Sequence, residues 1–184
     1  MAISVSDDAM YTETERGTVR LCRLTECPPD LCSEIHRVCL EAPNYFLSVE
    51  GALPDQDGIR MWFSEDELPW GCTAEHHFVY SITLDSGLIG VAHVLAACRD
   101  PAQATIGLLL LSERHQGQGL GQIVFDLLAR RMRQWGLKSC LIGVVANNIG
   151  ALAFWRRVGF EEVGEVAPMD GFVDRTIFME KKLA

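Results

Sequence analysis

Residues 112–132, SERHQGQGLGQIVFDLLARRM, place three glycines directly before an apolar repeat that has helical spacing. From Leu120, apolar residues recur in one amphipathic stripe at 120, 123, 124, 127, 128, 132 and 135. This stripe predicts a helix that stops at Gly136. The first turn of a helix has N–H groups without backbone partners and carries the positive end of the helix dipole. Glycines leave those N–H groups open, so the stretch predicts an anion site that suits phosphate.

The spacing of the glycines separates this stretch from two other phosphate-binding motifs. A P-loop requires G-x-x-x-x-G-K-[ST], and no lysine follows these glycines. A dinucleotide fingerprint requires G-x-G-x-x-G and a later acidic residue, whereas here the spacing is G-x-G-x-G and the next strand ends in Val-Ala-Asn. Nucleotide hydrolysis and nicotinamide chemistry are therefore disfavoured. A helix start with loose glycines and no ligand stays open as the alternative.

Strand and helix patterns alternate around the glycine stretch. Residues 104–111 (ATIGLLLL) and 139–145 (SCLIGVV) predict buried strands, and residues 147–158 predict a second helix that stops at Gly159. This strand–helix–strand–helix unit requires a parallel crossover, while the flanking segments, including a hairpin at the DSG of 85–87, predict antiparallel strands. The expected fold class is α+β, with a mixed, mostly antiparallel sheet of six to seven strands and about four helices.

A length of 184 residues corresponds to one domain. Residues 1–17 are acidic and polar and predict a mobile tail before a single domain at 18–184, in which residues 42–58 are expected to be irregular. The chain shows no signal-peptide pattern and no apolar run near the roughly 20 residues that span a bilayer. Its seven cysteines form no C-x-x-C pair, which predicts reduced, mostly buried thiols in a cytoplasmic protein.

The formal net charge of −9 disfavours nucleic acid and anionic membranes as partners and is compatible with a cationic substrate. Glu65, Asp66 and Glu67 precede a predicted lid turn at 69–71. These three carboxylates could attract such a substrate, but a solvent-exposed group of charges is the preferred interpretation. His76 and His77 have no matching cluster of further ligands, so no metal site is predicted.

Two motifs resemble the GNAT acyltransferase superfamily. The stretch QGQGLG at 116–121 is similar to the signature Q/R-x-x-G-x-G/A, and NNIGALAFWRRVGF at 147–160 resembles N-x-x-A-x-x-[LF]-[YW]-x-x-x-G-F. The positions that match the second signature are Asn148, Ala151, Phe154, Trp155, Gly159 and Phe160. The resemblance covers about 76–182 and is only topological for 18–75, where members of the superfamily vary with their substrate. It implies a GNAT-like fold.

The resemblance implies an acetyl-CoA-dependent N-acetyltransferase without a metal. The acetyl group would pass directly, in a ternary complex, to a primary amine of a small molecule, a peptide or a protein. On this analogy the glycine loop wraps the pyrophosphate, and the preceding strand pairs its backbone with the pantetheine arm. A backbone N–H near Leu110 would polarise the thioester carbonyl. The acyl-CoA-binding residues that it implies are Leu109, Leu110, Leu111, Gln116, Gly117, Gln118, Gly119, Leu120, Gly121, Asn148, Ala151, Phe154 and Trp155.

The assignments of the leucine strand and of Asn148 to acyl-CoA binding each have a structural alternative. The sequence motifs indicate the catalytic groups less clearly than the binding residues. The leucine side chains of 108–111 fit a core strand, and Asn148 fits a helix N-cap. Many superfamily members have a tyrosine where this chain has Trp155, whose indole N–H cannot protonate a thiolate near neutral pH. Tyr45 and Ser112 are the alternative candidates for that acid.

His93, within an apolar strand, is the candidate general base, although a histidine there is more often structural. Because the usual acid and base are missing, a CoA-binding regulatory or sensor protein stays open as the alternative function. A homodimer that pairs the C-terminal strands and residues 43–51 is also possible.

Overall fold

The computed structural model describes residues 9–64, 68, 69, 71–168 and 171–183. These residues form one eight-stranded sheet and five α-helices. The strands are β1 (Ala9–Thr14), β2 (Gly17–Leu24), β3 (His77–Leu84), β4 (Gly87–Ala96), β5 (Gln103–Leu111), β6 (Ser139–Val145), β7 (Glu161–Val166) and β8 (Thr176–Lys182). The helices are α1 (Pro29–Leu40), α2 (Pro43–Val49), α3 (Gln56–Met61), α4 (Leu120–Gln134) and α5 (Ile149–Val158).

The strands lie in the order β1-β2-β3-β4-β5-β6-β8-β7. Among these pairs β5 and β6 are parallel, and the others are antiparallel. The α4 crossover joins the parallel pair, and β8 inserts between β6 and β7. The predicted mixed, mostly antiparallel α+β fold is confirmed, with eight strands in the described residues instead of six to seven.

The N-terminal segment predicted as a tail forms a strand from Ala9, and residues 1–8 lie outside the described residues. Strand β1 pairs with β2 from Ala9 opposite Cys22 to Thr14 opposite Gly17. Met10 is buried in the core, whereas the other residues of β1 are exposed or half-buried. An edge strand with one solvated face needs few apolar residues, which explains why its polar composition concealed it.

The segment predicted to be irregular contains helix α2 and the start of helix α3. Pro43 occupies the first turn of α2, where its fixed φ is favourable and its missing N–H costs nothing. Asp55 caps α3 because its side chain accepts a hydrogen bond from the Gly58 N–H at 2.7 Å. The prolines and polar residues that suggested a loop therefore mark the ends of short helices.

Each face of the sheet carries its own hydrophobic core. On one face, α4 and α5 bury residues such as Leu120, Phe125 and Trp155. On the other, α1, α2 and α3 pack residues such as Ile35 and Phe46 against the sheet. Strand β5 contributes to both cores, since Leu111 belongs to the first cluster and Leu108 and Leu110 to the second.

The parallel strands β5 and β6 pair only from Gln103 opposite Ser139 to Ile106 opposite Ile142. Beyond Ile106, β5 continues beside β4 and β6 continues beside β8. In the pairing with β4, Ile106 lies opposite Val94 and Leu108 lies opposite the adjacent His93. Gly107 is therefore an extra residue in β5. An extra residue bends a strand. The C-terminal halves of β5 and β6 are therefore separated by a gap.

Two of the seven cysteines form a disulfide, Cys72–Cys98, which the sequence did not predict. It joins the segment before β3 to the turn after β4, so it closes the base of the β3–β4 hairpin. The expectation of reduced thiols is therefore wrong for this pair. The other five cysteines, Cys22, Cys27, Cys32, Cys39 and Cys140, are free, and the last three are buried as expected.

We expect the replacement Cys72→Ser to lower the free energy of unfolding by roughly 3 kcal/mol, because a cross-link across 26 residues restricts the unfolded chain. Urea denaturation without reductant measures the change, and Cys27→Ser, at a free and half-buried position, is the matched control. Excess reductant should bring the wild type down to the stability of Cys72→Ser. A wild type that reductant leaves unchanged would contradict the prediction.

Candidate active site

The glycine loop, the end of β5 and the start of α5 surround a cavity of about 770 Å³, called the larger cavity below. The predicted residues that line it are Leu109, Leu110, Leu111, Gln116, Gly117, Gly119, Gly121, Asn148, Ala151, Phe154 and Trp155. Gln118 and Leu120 do not line it. The side chain of Gln118 hydrogen-bonds to the Arg114 carbonyl, and that of Leu120 is fully buried in the core.

The backbone of the glycine loop leaves the start of α4 open. Gly117 and Gly119 have φ angles of +69° and +81°, a left-handed conformation that strains other residues. A Cβ atom at either position would have no neighbour within 4 Å. Gly119 is the N-cap of α4 and supplies no capping side chain, so the first N–H groups of α4 have no side-chain partner there. An anion can therefore approach them.

Gln116 holds the loop against the end of β5. Its Nε2 donates a hydrogen bond to the Leu111 carbonyl at 2.7 Å. The carbonyl of Leu111 therefore points toward the loop and away from β4. The side of β5 that faces away from β4 is the side open to the cavity. Gln116 therefore connects the glycine loop to the strand that borders the gap.

Pairing with β4 decides which backbone groups of β5 face the gap. The Ser112 N–H donates to the Ile89 carbonyl of β4 at 2.9 Å. Backbone groups alternate between the two sides of a strand, so those of Leu110 also face β4, and those of Leu109 and Leu111 face the gap. The N–H of Leu110, which was predicted to polarise the thioester carbonyl, therefore faces β4, and the N–H of Leu109 faces the gap.

Helix α5 forms the opposite wall of the larger cavity. Asn148 is its N-cap, since the Asn148 Oδ1 accepts a hydrogen bond from the Ala151 N–H at 3.1 Å. Trp155 is only 7% exposed and contacts other rings edge to face, with centroid distances of 4.8 Å to Phe154 and 4.9 Å to Phe160. These contacts hold the indole as a fixed wall, and its chemistry gives it no acidic proton at neutral pH.

A second cavity of about 360 Å³, called the smaller cavity below, lies against the same gap. It shares with the larger cavity the residues Tyr45, Leu109, Asn148, Ala151 and Trp155. Its other walls include Phe46, Val49, Glu50, Trp62, His93, Gly107, Leu108, Phe172, Thr176 and Phe178. The two cavities meet where β5 has left β6, so molecules bound in them would meet at Leu109 and Trp155.

His93 lies on the wall of the smaller cavity in an apolar setting. Its ring packs edge to face against Trp62 at a centroid distance of 4.6 Å and against His77 at 5.7 Å. Its Nε2 is buried and has no hydrogen-bond partner among the described residues. Burial, with a smaller contribution from His77, lowers the pKa of His93 to about 3. A neutral imidazole of this kind is too weak a base to take a proton from an ammonium group, which argues against the role predicted for it.

The two candidate acids differ in their positions. Tyr45 borders both cavities, and burial, followed by the nearby charge of Glu50, raises the pKa of its phenol. Ser112 is fully buried, its Oγ lies 2.7 Å from the His115 Nδ1, and it does not line either cavity. Tyr45 therefore lies on the shared wall of the two cavities, whereas Ser112 braces the loop.

Glu50 is a residue of this site that sequence reasoning missed. It is the C-cap of α2 and lines the smaller cavity, and burial raises the pKa of its carboxyl. No motif marks it, because α2 was expected to be irregular. Glu65, Asp66, Glu67 and Trp70, which were considered for substrate attraction and the lid turn, lie outside the described residues.

Within the described part of the chain, no group of three or more His, Cys, Asp or Glu side chains is arranged to hold a metal ion. Over the same residues, no helix is long and apolar enough to cross a membrane.

Comparison with known proteins gives the family. The model of the Acetyltransferase (GNAT) family matches residues 40–160, which is more than half of the chain. The chain therefore belongs to the GNAT acetyltransferases and is an enzyme that transfers an acyl group from acyl-CoA. A comparison with curated protein sequences gives no match.

Solved structures show the same fold. An acetyltransferase from Thermus thermophilus superposes with a TM-score of 0.74 at 22% identity, over 89% of this chain and 96% of that one. A probable acetyltransferase of the GNAT family from Chromobacterium violaceum gives 0.75 at 16% identity, over 100% and 90%. The ribosomal-protein-S18-alanine N-acetyltransferase from Escherichia coli gives 0.63 at 14% identity, over 90% and 94%. At these identities the likeness establishes the fold alone.

The buried neutral state of His93 predicts a loss of stability in acid. The unfolded chain protonates this group near pH 6.5 and the folded chain only near 3, so the unfolded state binds more protons between those values. Lowering the pH from 6.5 to 5 should therefore cost the wild type about 2 kcal/mol more than it costs His93→Gln. Urea denaturation at the two pH values measures this difference. Equal losses in the two proteins would show that His93 titrates normally.

Proposed function

We propose that this enzyme is an N-acetyltransferase that moves an acetyl group from acetyl-CoA directly to a primary amine in a ternary complex. The observation that carries the proposal is the meeting of two cavities at the gap between β5 and β6. The larger cavity would hold the acyl donor and the smaller one the acceptor. Direct transfer needs both molecules present at once, and this arrangement allows it.

The larger cavity has the groups that acetyl-CoA requires. The open N–H groups at the start of α4 suit the pyrophosphate, and the left-handed Gly117 and Gly119 keep side chains away from it. The pantetheine arm contains amides, which suit the gap-facing backbone groups of Leu109 and Leu111 in the way that an added strand would. The bound cofactor supplies an activated thioester.

The residues near the gap have separate tasks in this proposal. The N–H of Leu109 donates to the thioester oxygen, where negative charge develops as the amine attacks. The fixed indole of Trp155 and the side chain of Ala151 shape the site around the sulfur. A thiolate is a weaker base than an alkoxide or an amide anion, so it leaves without a strong acid to protonate it. The absence of a phenol at position 155 is therefore compatible with transfer.

The alternative is a CoA-binding regulatory or sensor protein, and Trp155 together with the neutral, buried His93 favours it. Two measurements separate the functions. Isothermal titration reports CoA binding, and a thiol reagent reports CoA released from acetyl-CoA across a panel of amines. We expect both binding and amine-dependent release. Binding without release for every amine in the panel would favour the regulatory protein instead. A cytoplasmic location and a homodimer stay predictions from the sequence.

The glycine loop provides a direct test of the donor site. Asn tolerates a left-handed backbone better than most residues, so Gly119→Asn and Gly119→Asp share a similar strain and differ in charge. We expect Gly119→Asp to bind CoA at least about tenfold more weakly than Gly119→Asn, because its carboxylate repels the pyrophosphate. Isothermal titration of both variants measures the ratio. Equal affinities of the two variants would show that the pyrophosphate of CoA does not bind at this loop.

A further inference from the structure

We propose that the smaller cavity selects a hydrophobic or aromatic primary monoamine that carries no carboxylate, and that Glu50 binds and deprotonates its ammonium group. This inference rests on the proposed function, since it assigns the acceptor of that reaction. Four features of the smaller cavity support this assignment. They are its lining, the position of Glu50, the wall beyond α2 and the route of the proton.

The lining of the smaller cavity is aromatic and apolar with one charge. Six aromatic side chains contribute to it, and they are Tyr45, Phe46, Trp62, Trp155, Phe172 and Phe178. Glu50 is the one charged side chain among the described residues of the wall, and these include no lysine or arginine. Aromatic faces attract cations and also bury hydrocarbon, so this wall suits an ammonium group on an apolar body.

Glu50 lines the smaller cavity together with Tyr45. The charge of Glu50 also contributes to the raised pKa of Tyr45. Tyr45 borders both cavities. An ammonium group held by Glu50 would therefore lie beside the site proposed for the thioester. Glu50 has no ion-pair partner among the described residues, which leaves its carboxylate available to a ligand.

The same wall disfavours acceptors with a carboxylate. A free amino acid would place its carboxylate within a few bonds of its ammonium group, and so near Glu50. The described wall supplies no cation to compensate this charge. Like charges brought close together repel, and a second carboxylate placed against the aromatic wall also loses hydration without gaining a partner. The cavity is therefore expected to accept an amine and to reject the amino acid that has the same side chain.

The connection between β7 and β8 limits the cavity on the side of α2. The N–H of Val173 donates to the Val49 carbonyl at 3.0 Å, which ties this connection to the last turn of α2. A Cβ on Gly51, whose φ is +76°, would lie 3.1 Å from the Val173 Cγ1, so the two segments are in close contact. Phe172, next to this attachment, lines the cavity. Phe172 and its attachment therefore narrow the cavity on this side, which favours a small molecule over a peptide segment.

The chemistry assigned to Glu50 balances in charge and atoms. The ammonium group gives one proton to the carboxylate, which becomes a neutral carboxyl. The free amine then attacks the thioester carbon and the C–S bond breaks. The attacking nitrogen gives its second proton through water to the departing thiolate, so an amide and the CoA thiol form. Burial raises the pKa of Glu50, so it is a stronger base than an ordinary surface carboxylate. Glu50 is at the same time an exposed residue, which lets its proton pass to water after each turnover.

The first test uses the wild-type enzyme and two acceptors that differ by one carboxylate. We expect 2-phenylethylamine to release CoA from acetyl-CoA with a kcat/KM at least ~100-fold higher than that of L-phenylalanine. If phenylalanine, or a peptide with a free N-terminal amine, reacted as well as 2-phenylethylamine, the inference would be overturned and the proposed function would stay intact. No release with any amine, despite CoA binding, would instead overturn the proposed function.

The second test replaces the carboxylate without changing its size. Glu50→Gln should lower kcat/KM for 2-phenylethylamine at least ~10-fold and leave CoA affinity, measured by isothermal titration, within about twofold of the wild type. Unchanged CoA affinity also shows that the variant is folded. Glu161→Gln, which removes an exposed carboxylate from β7, is the matched control and should keep wild-type activity. Wild-type kcat/KM in Glu50→Gln would overturn the role of Glu50.

Discussion

After Ile106 the backbone of β5 stays with β4 and leaves β6, and the rest of the site depends on this separation. Parallel strands that stayed paired would satisfy each other's backbone groups and close the sheet. The extra residue Gly107 bends β5 away, while β6 pairs onward with β8. The result is a gap in the sheet with hydrogen-bonding groups along one edge and two cavities that share part of their lining.

The two ends of the site are built from different parts of the chain. The proposed donor end uses mainly backbone: the open start of α4, two left-handed glycines and the edge of β5. The proposed acceptor end uses side chains, with aromatic rings around Glu50 at the end of a short helix. The glycine loop follows a motif of fixed spacing, whereas a side-chain wall drawn from distant segments can change with each acceptor. This difference explains why the family follows readily from the sequence and the acceptor does not.

The fold was predictable where a local pattern determines local structure. The apolar stripe of α4, the left-handed stops at Gly136 and Gly159 and the hairpin between β3 and β4 all follow from short-range signals. Strand β1 and helix α2 were missed, because their stability comes from packing on neighbours and not from their own composition. The Cys72–Cys98 disulfide was missed for a related reason, since cysteines 26 residues apart meet only once the hairpin has formed.

The sequence by itself determined the glycine loop, the helix that follows it and the motif on α5, because each depends on residue types at fixed spacing. It therefore also determined the family and the donor. Only the tertiary structure decided that Leu109, and not Leu110, turns its N–H to the gap, that His93 is buried and neutral, and that Glu50 borders the second cavity. These properties depend on strand register and on burial between distant segments, which no spacing along one chain encodes.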